Sequence, residues 1–275
     1  MEAIGIGVLV SGGGTNLQAI IDACERRSLK ATILFVGSDT PLAAGLDRAR
    51  KHNIPTFVVD YAAIIRQYQE NPAQIQPPPN ADLDEIAAKQ AVFAPARGPE
   101  AVRSFLATRT VAEAQLLQKM APYPFDLLVL AGFMRTLTPY FIDRVNFDRT
   151  RPRIMNIHPA LLPAFAGTDG YGDTYRYGCR IGGCTVHFID YGEDTGAIID
   201  QRAFHIEPGD TLEAVRRKGL ELEWELYPKC IQLFAEGRLH LVTKTHALKA
   251  GRRVTRTIVE IRPARADDAR QSAEG

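Results

Sequence analysis

The chain has 275 residues, of which 45% are hydrophobic and 24% are charged, and its formal net charge is +1. This apolar fraction is large enough for a hydrophobic core, and so weak a net charge argues against an intrinsically disordered chain. Because 33 basic residues are balanced by 32 acidic ones, no overall positive field would attract nucleic acid, and we expect no nucleic-acid partner.

No apolar run reaches the roughly 18 residues that a membrane-spanning helix needs, so we expect no membrane partner. We expect no secretory signal either, because the N-terminus carries Glu2 and no basic cluster. The cysteines are too few for a disulfide framework in a chain of this length; they are Cys24, Cys179, Cys184 and Cys230. We therefore predict a cytoplasmic protein with reduced thiols.

Short apolar runs alternate with amphipathic stretches in the first part of the chain. These runs are typical of buried strands and cover residues 4–10, 31–36, 56–59, 127–130 and 154–157. Such alternation predicts the α/β class, with a mostly parallel twisted sheet of Rossmann-like type and helices on both faces. Two further runs, 184–189 and 197–204, are joined by an acidic turn, so we expect antiparallel strands toward the C-terminal half.

A long helix is predicted after residue 210. Asp210 is the expected N-cap, because Glu213 stands three residues later in the capping-box position. The apolar stripe of this helix comprises Leu222, Leu226, Cys230 and Leu233. Beyond the helix, the segments 239–242 and 254–261 are expected to pair as a hairpin.

Two segments are expected to lie outside the core. Residues 66–105 contain three consecutive prolines and many Gln and Ala residues, which indicates a partly helical insert on the surface. Residues 263–275 are charged and rich in small side chains, so we expect a flexible tail. The remainder, residues 1–262, is predicted to form a single domain.

The first candidate site is the glycine loop, residues 11–16, which reads Ser-Gly-Gly-Gly-Thr-Asn between the first predicted strand and helix. Glycines let backbone N–H groups approach a ligand closely, and a helix N-terminus presents unpaired donors. The loop therefore favours a phosphate monoester. It matches no NAD or ATP motif, because Leu17 replaces the last glycine of the dinucleotide pattern and no Gly-Lys-Ser/Thr follows. The alternative is a tight turn that binds nothing.

The second candidate is the pair Asn156 and His158 at the end of the fifth predicted strand. Residues two apart on a strand point to the same side, and ligands of open parallel sheets bind at the carboxyl ends of the strands. An amide donor beside an imidazole can stabilise an oxyanion and move a proton. The alternative is a structural histidine packed under Pro159, which is the commoner situation for an isolated pair of this kind.

The third candidate is the acidic turn, residues 190–194, with Asp190, Glu193 and Asp194. A carboxylate close to His158 would favour the imidazolium, but the spacing alone does not place Asp194 there. The alternative is a solvated turn, which acidic residues and glycine commonly build. His187, on the preceding strand, is interpreted as a half-buried sheet residue.

No metal site is predicted. Cys179, Cys184 and His187 could approach one another, but the sequence offers no second pair of ligands at the spacing that a zinc site needs. We therefore expect the chemistry to come from the amide, imidazole and carboxylate groups.

Taken together, the motifs resemble the phosphoribosylglycinamide formyltransferases, folate-dependent enzymes of purine synthesis. The resemblance rests on SGGGTNLQ at 11–18, DLLVLAGFMRTLTP at 126–139, RIMNIHPALLPAFAG at 153–167 and EDTGAIIDQ at 193–201. It implies transfer of a formyl group from 10-formyltetrahydrofolate to the amine of 5-phosphoribosylglycinamide through a tetrahedral intermediate, without a metal. It also implies a formyltransferase domain whose N-terminal half binds the nucleotide and whose C-terminal half binds the folate. Small-molecule substrates and a monomer or homodimer are expected.

The resemblance also assigns residues. The catalytic positions match Asn156, His158 and Asp194. The nucleotide-binding positions match Gly13, Gly14, Thr15, Asn16 and Glu223. The folate-binding positions match Met134, Arg135, Thr136, Leu137, Asp190, Tyr191, Gly192 and Glu193, with Arg109 added by counting back without a gap from residue 133.

The sequence departs from the family beside these positions. Asp169 and Tyr171 stand where imidazoles are expected, and Thr195 stands where a glycine is usual. These changes leave three alternatives to the transferase open. They are a hydrolase that passes the formyl group to water, a binding protein without turnover, and a formyltransferase for another phosphorylated or sugar-nucleotide amine.

Overall fold

A computed structural model of the protein describes residues 3–92, 98–148 and 150–263; of the predicted tail, residues 264–275 lie outside these ranges. The main sheet contains β1 Ile4–Val10, β2 Ala31–Ser38, β3 Thr56–Val58, β4 Leu127–Leu130, β5 Ile154–His158, β6 Ile181–Phe188 and β7 Ile198–His205. Their order is β3-β2-β1-β4-β5-β6-β7. Strands β1 to β5 pair in parallel, whereas β6 pairs antiparallel with both β5 and β7. The predicted α/β class and the antiparallel strands toward the C-terminal half are confirmed.

Helices cover both faces of this sheet. Those of the described residues are α1 Thr15–Glu25, α2 Ala44–Lys51, α3 Tyr61–Glu70, α4 Leu83–Lys89, α5 Pro99–Met120, α6 Pro139–Val145, α7 Gly170–Arg176 and α8 Leu212–Ala235. On β1, Val8 belongs to the cluster that includes residues of α1 and α8, whereas the next residue, Leu9, belongs to the cluster that includes residues of α5 and α6. Because successive side chains of a strand point to opposite faces, both faces need an apolar cover, and this explains the continuous apolar run.

Helix α8 begins one residue later than the sequence predicts. Thr211 is the N-cap, and its hydroxyl accepts a hydrogen bond from the backbone N–H of Ala214 at 3.2 Å. The carboxylate of Asp210 accepts instead from the N–H of Glu207 at 2.8 Å and from Lys218 Nζ at 2.6 Å. Asp210 therefore caps the turn that precedes the helix, and the predicted N-cap was wrong by one position.

One tyrosine of α8 joins the helix to the centre of the sheet. The buried hydroxyl of Tyr227 lies 3.1 Å from the carbonyl oxygen of Leu130 in β4 and 2.8 Å from that of Met155 in β5. A single phenol thus contacts two adjacent strands, at the last residue of β4 and at the second residue of β5. This contact fixes the spacing between β4 and β5, from which two walls of the cavity described below extend.

The segment 66–105 begins inside α3 and ends inside α5, which is continuous from Pro99 to Met120. Ile86 of α4 is buried and packs in a small cluster with Leu106 of α5 and Tyr140 of α6. Part of this segment is therefore packed against the domain rather than lying freely on the surface. Its description as an insert remains a prediction.

A second, two-stranded sheet follows α8. It consists of β8 Leu239–Ala247 and β9 Arg253–Ile261, paired antiparallel along their full lengths and separated by a short turn at Lys249–Gly251. All four cysteines are free thiols. Within residues 3–92, 98–148 and 150–263, no helix combines the length and the hydropathy that a membrane crossing requires.

Candidate active site

A cavity of about 550 Å³ opens at the carboxyl ends of β1, β4 and β5. The chain leaves β1 toward β2 on one side and later returns to β4 on the other, so the crevice between β1 and β4 is the switch point of the sheet, where open α/β sheets bind ligands. The walls come from six segments, which are residues 12–16, 130–137, 156–159, 167–171, 189–194 and 216–223.

The glycine loop forms one end of the cavity. Gly14, the N-cap of α1, has φ +69°, and a Cβ atom there would lie 2.6 Å from the Cα of Gly45. The position therefore needs glycine, both for its left-handed backbone and for the close approach of α2. By contrast, a Cβ on Gly12 or Gly13 would meet nothing within 4 Å, so the backbone on this side is open toward the cavity.

Arg48, on α2, places a cation beside the glycine loop. Its Nε donates to the carbonyl oxygen of Gly13 at 2.7 Å, and its Nη1 donates to Gln18 Oε1 at 3.3 Å. The N-terminus of α1 and this guanidinium together favour an anionic ligand. Sequence reasoning missed Arg48, since nothing in the local pattern of α2 indicates which face meets the loop.

The acidic turn and β5 meet at His158. The Nδ1 atom of His158 lies 3.1 Å from Asp194 Oδ2, and its Nε2 atom lies 2.8 Å from the carbonyl oxygen of Phe165. Asp194 Oδ2 also accepts from the N–H of Gly167 at 2.9 Å. Both ring nitrogens of His158 thus face acceptors, and only the imidazolium can donate to both. The structure brings together two predicted catalytic residues that are far apart in sequence.

Two non-glycine residues around His158 have left-handed backbones. The φ angles of Phe165 and Asp194 are both +54°. This conformation is uncommon for residues with a Cβ atom, and more so for a phenylalanine than for an aspartate. The two hydrogen-bond acceptors of His158 are therefore held by strained backbone positions.

Asn156 is oriented by His187, its partner across the antiparallel pair of β5 and β6. Asn156 Nδ2 lies 3.2 Å from His187 Nε2, and His187 Nδ1 lies 2.9 Å from the carbonyl oxygen of Phe188. The carbonyl requires a proton on Nδ1, so in the neutral ring Nε2 accepts from the amide. Burial lowers the pKa of His187, which favours this neutral form.

His187 is thus more deeply placed than the sequence predicts. It is fully buried rather than half-buried, because β6 is covered on both faces. Its Nε2 atom also lies 3.6 Å from Asp194 Oδ1. The register of β6 against β5 would have identified His187 as the partner of Asn156. The pattern of a single segment does not predict that register.

At the floor of the cavity, the carboxylate of Glu223 accepts two hydrogen bonds. Asn16 Nδ2 donates to Oε2 and Tyr171 OH donates to Oε1, each at 2.6 Å. Burial raises the pKa of Glu223, and the two donors oppose that rise. Four of the predicted nucleotide-binding residues lie with Glu223 on this cavity, and they are Gly13, Gly14, Thr15 and Asn16.

The predicted folate-binding residues divide into two groups. Those that line the cavity are Met134, Arg135, Thr136, Leu137, Asp190, Gly192 and Glu193. Tyr191 faces a neighbouring cavity of about 890 Å³ on the other side of the acidic turn, and its hydroxyl contacts the carboxylate of Asp143 on α6. The turn itself is shaped by Asp190 Oδ1, which accepts from the N–H of Gly192 at 3.0 Å and from Thr195 Oγ1 at 2.6 Å.

Arg109 is not among the residues that line the cavity, and its assignment as a folate-contacting residue stays a prediction. It lies on α5 and is 8% exposed, with its guanidinium 5.0 Å from the ring centre of Tyr61 and 4.6 Å from that of Phe105. Arg135, which does line the cavity, donates from Nε to the buried carboxylate of Asp39.

The part of the chain that the structure describes contains no group of three His, Cys, Asp or Glu side chains arranged to hold a metal ion. The chemical groups gathered on the cavity are an anion-binding loop, a buried carboxylate, an amide donor and an imidazole paired with a carboxylate. Such a set can bind a phosphorylated ligand and stabilise a developing oxyanion beside it.

Comparison with known proteins agrees with this arrangement. The chain is 36% identical over 86% of its length to phosphoribosylglycinamide formyltransferase of Haemophilus influenzae, and it covers 89% of that protein. The crystal structure of glycinamide ribonucleotide transformylase 1 from Symbiobacterium toebii superimposes with a TM-score of 0.69 at 34% identity, covering 95% of each chain. The trifunctional purine biosynthetic protein adenosine-3 of Chironomus tentans is 32% identical over 87% of this chain, which spans 14% of that longer protein. The family model described as formyl transferase matches residues 5–231, and the chain therefore belongs to the formyl transferase family.

Proposed function

We propose that this protein transfers the formyl group of 10-formyltetrahydrofolate to the amine of 5-phosphoribosylglycinamide. The observation that carries the proposal is that the glycine loop and the group Asn156, His158 and Asp194 open into the same cavity. A hydrolase of the same scaffold would not need the phosphate-binding end of that cavity. The names of the relatives described above support the same activity.

The nucleotide would lie along the cavity with its phosphate at the glycine loop and Arg48, and its ribose hydroxyl groups at Glu223. Its amine would then point toward Asn156 and His158 on β5. The pterin ring would lie between residues 134–137, which follow β4, and the acidic turn, which follows β6; both segments contribute residues to the cavity wall. This placement brings the formyl carbon beside the amide and the imidazolium.

In the proposed reaction, the amine lone pair attacks the formyl carbon and a C–N bond forms. The carbonyl π electrons move to oxygen, and the resulting oxyanion accepts hydrogen bonds from Asn156 Nδ2 and from the His158 imidazolium. The bond from the formyl carbon to the folate nitrogen then breaks, and that nitrogen gains a proton while the former amine loses one. His158 can move this proton, and Asp194 holds the ring and stabilises its charge.

In the free protein, His158 Nε2 contacts the Phe165 carbonyl oxygen. The oxyanion would need the same N–H group as its hydrogen-bond donor. We therefore infer that the substrate displaces the Phe165 carbonyl from His158, while the contact between Nδ1 and Asp194 is kept.

The test is formyl release by the purified protein, followed by absorbance of the folate product with and without glycinamide ribonucleotide. Release that requires the nucleotide is expected. Release without it would favour the hydrolase, and release only with a different phosphorylated amine would favour the other transferase. No release under any of these conditions would contradict the proposal.

The state of assembly and the cellular location remain predictions. The expected partners are the two small-molecule substrates, and either a monomer or a homodimer would be compatible with a cavity formed within one chain. Sedimentation at assay concentration decides between the two states.

A further inference from the structure

Tyr171 is, with Asp169, one of two cavity residues that stand where the resemblance leads us to expect imidazoles. It lies in the first turn of α7, is 5% exposed, and packs against Phe204 of β7 with ring centres 6.3 Å apart. Its hydroxyl donates to Glu223 Oε1 at 2.6 Å. A residue that only packed against apolar neighbours would not need this hydroxyl. The hydrogen bond to Glu223 therefore indicates a further function for Tyr171.

The backbone of α8 is adapted to the ring of Tyr171. Gly219 lies one turn before Glu223, and a Cβ atom at that position would meet the tyrosine ring at 2.1 Å. An interior glycine costs helix stability relative to alanine, about 1 kcal/mol. The absence of a side chain at Gly219 therefore leaves room for the Tyr171 ring to reach the Glu223 carboxylate.

Glu223 keeps acceptor capacity that the protein does not use. A carboxylate oxygen has two lone pairs, and the Asn16 and Tyr171 donors each occupy one of them on separate oxygens. In addition, Asn16 Oδ1 is buried without a hydrogen-bond partner. Both Glu223 and Asn16 line the cavity, where the remaining lone pairs of the carboxylate can accept from hydroxyl groups of a ligand.

We propose that Tyr171 is a positioning residue, whose hydroxyl holds the Glu223 carboxylate in the orientation and the ionised state that accept the ribose hydroxyl groups of the substrate. The identity of that ligand rests on the proposed function. Tyr171 itself acts through Glu223, and the two residues form one unit with Asn16.

Few groups oppose the effect of burial on Glu223 and so favour its ionised form. Asn16 of α1 and Tyr171 of α7 donate to it, His158 of β5 contributes a stabilising positive charge, and Cys184 of β6 and Tyr227 of α8 face it as neutral groups with raised pKa values. Burial raises the pKa of Glu223, so each donor matters. Removing the tyrosine hydroxyl raises that pKa further.

The experiment compares Tyr171→Phe with Tyr140→Phe. Both changes remove one hydroxyl from a largely buried tyrosine, but Tyr140 OH donates to Asn80 at 3.2 Å, away from the cavity. Tyr171→Phe is expected to raise the KM for glycinamide ribonucleotide by about tenfold, the smallest loss expected for a hydrogen bond to a charged group. The kcat of Tyr171→Phe and its KM for the formyl folate should change by less than about threefold, the range usual for substitutions without a specific effect. The kcat and both KM values of Tyr140→Phe should stay within the same range.

A second measurement separates positioning from packing. In protein labelled with ¹³C at the glutamate carboxyl groups, the resonance of Glu223 is identified by its loss in Glu223→Gln and titrated in the free enzyme. Tyr171→Phe should move this titration to higher pH, and Tyr140→Phe should not. In the Glu223→Gln background, Tyr171→Phe should add no further loss of nucleotide affinity.

An unchanged nucleotide KM in Tyr171→Phe, or an unchanged Glu223 titration, would overturn the inference. The titration needs no substrate, so it is separable from the proposed function. If the wild-type protein transfers no formyl group to the nucleotide, the proposed function fails, while the titration still decides whether Tyr171 controls Glu223.

Discussion

At the scale of single residues, the centre of the site is a histidine with an acceptor at each ring nitrogen. Asp194 contacts one nitrogen of His158 and the Phe165 carbonyl contacts the other. On the opposite strand, His187 has a donor at one nitrogen and an acceptor at the other, which suits the neutral ring. The two imidazoles on the paired strands β5 and β6 therefore have different hydrogen-bond surroundings.

His158→Ala and Asp194→Asn are each expected to lower kcat by at least about a hundredfold, the low end for lost acid–base catalysis. The first removes the proton carrier and the second removes the charge that stabilises it. The measurement is steady-state turnover with both substrates at saturation. His205→Ala changes an exposed histidine at the end of β7 and serves as the control, with turnover near that of the wild type. Near-normal turnover in both site variants would refute the assigned roles.

The sequence identified the individual groups of the site better than their partners. Asn156 and His158 were recognisable from their position at the end of an apolar strand, and the glycine loop from its composition. The spacing of the sequence did not place Asp194 and His187 beside them, because these residues reach β5 only through the antiparallel pairing of β6. Arg48 was missed for a similar reason, since it meets the glycine loop by the packing of α2 against α1.

At the scale of secondary structure, a buried carboxyl of α5 contacts the residue that precedes α6, next to the cavity wall formed by residues 134–137. Glu113 of α5 is 0% exposed, and it accepts from the backbone N–H of Thr138 at 2.7 Å and from the Thr138 hydroxyl at 2.5 Å. Thr138 is the N-cap of α6 and directly follows Leu137 of the cavity wall. Burial raises the pKa of Glu113 to about 7.

This raised pKa predicts that the contribution of Glu113 to the stability of the protein falls as the pH rises. In the unfolded chain the carboxyl of Glu113 ionises near 4.5, whereas in the folded protein it ionises near 7. Between these values the folded state binds more protons, so unfolding becomes easier as pH increases through this window. Across this window, Glu113 lowers the unfolding free energy by about 3 kcal/mol.

Glu113→Gln removes this ionisation and keeps one acceptor for Thr138. The difference in unfolding free energy between the variant and the wild type should therefore shift in favour of the variant from pH 5 to pH 8, by up to about 3 kcal/mol. Urea unfolding at several pH values measures this difference, in which the other titrating groups cancel. A difference that stays constant across the range would show that Glu113 does not titrate as described.

The elements themselves followed closely from the sequence, because fully buried strands leave continuous apolar runs. In the main sheet the strand bounds differ from the predicted ones by three residues at most, the largest change being the earlier start of β6 at Ile181. The largest difference in the chain is at β8, which runs five residues beyond its predicted end, to Ala247. The start of α8 was misplaced because Asp210 and Thr211 are both good capping residues, and the contact with Lys218 decides between them.

At the scale of the whole molecule, one cavity is assembled from segments that are far apart in sequence. The glycine loop follows β1, residues 130–137 follow β4, Asn156 and His158 lie on β5, and Glu223 lies on α8. A ligand that contacts these parts together therefore links elements that are distant in sequence. Its binding should stabilise the folded state as a unit.

Glycinamide ribonucleotide at about one hundred times its dissociation constant is expected to raise the unfolding free energy by about 2.7 kcal/mol, provided that it does not bind the unfolded chain. Inorganic phosphate at the same concentration should stabilise less, since it can contact only the glycine loop and Arg48. Chemical denaturation with each ligand tests the prediction. Equal stabilisation by the two ligands would mean that the ribose end of the cavity contributes no affinity.

The left-handed backbone at Phe165 and Asp194 lowers the stability of the fold at the residues that contact His158. Backbone strain of this kind costs of order 1 kcal/mol or more at each residue, and glycine would relieve it. Replacing Asp194 by glycine would relax the turn and at the same time remove the partner of His158. The relief of strain would be offset by the loss of the Asp194 contacts with His158 and with the N–H of Gly167, so Asp194 offers little to an engineer who seeks a more durable protein.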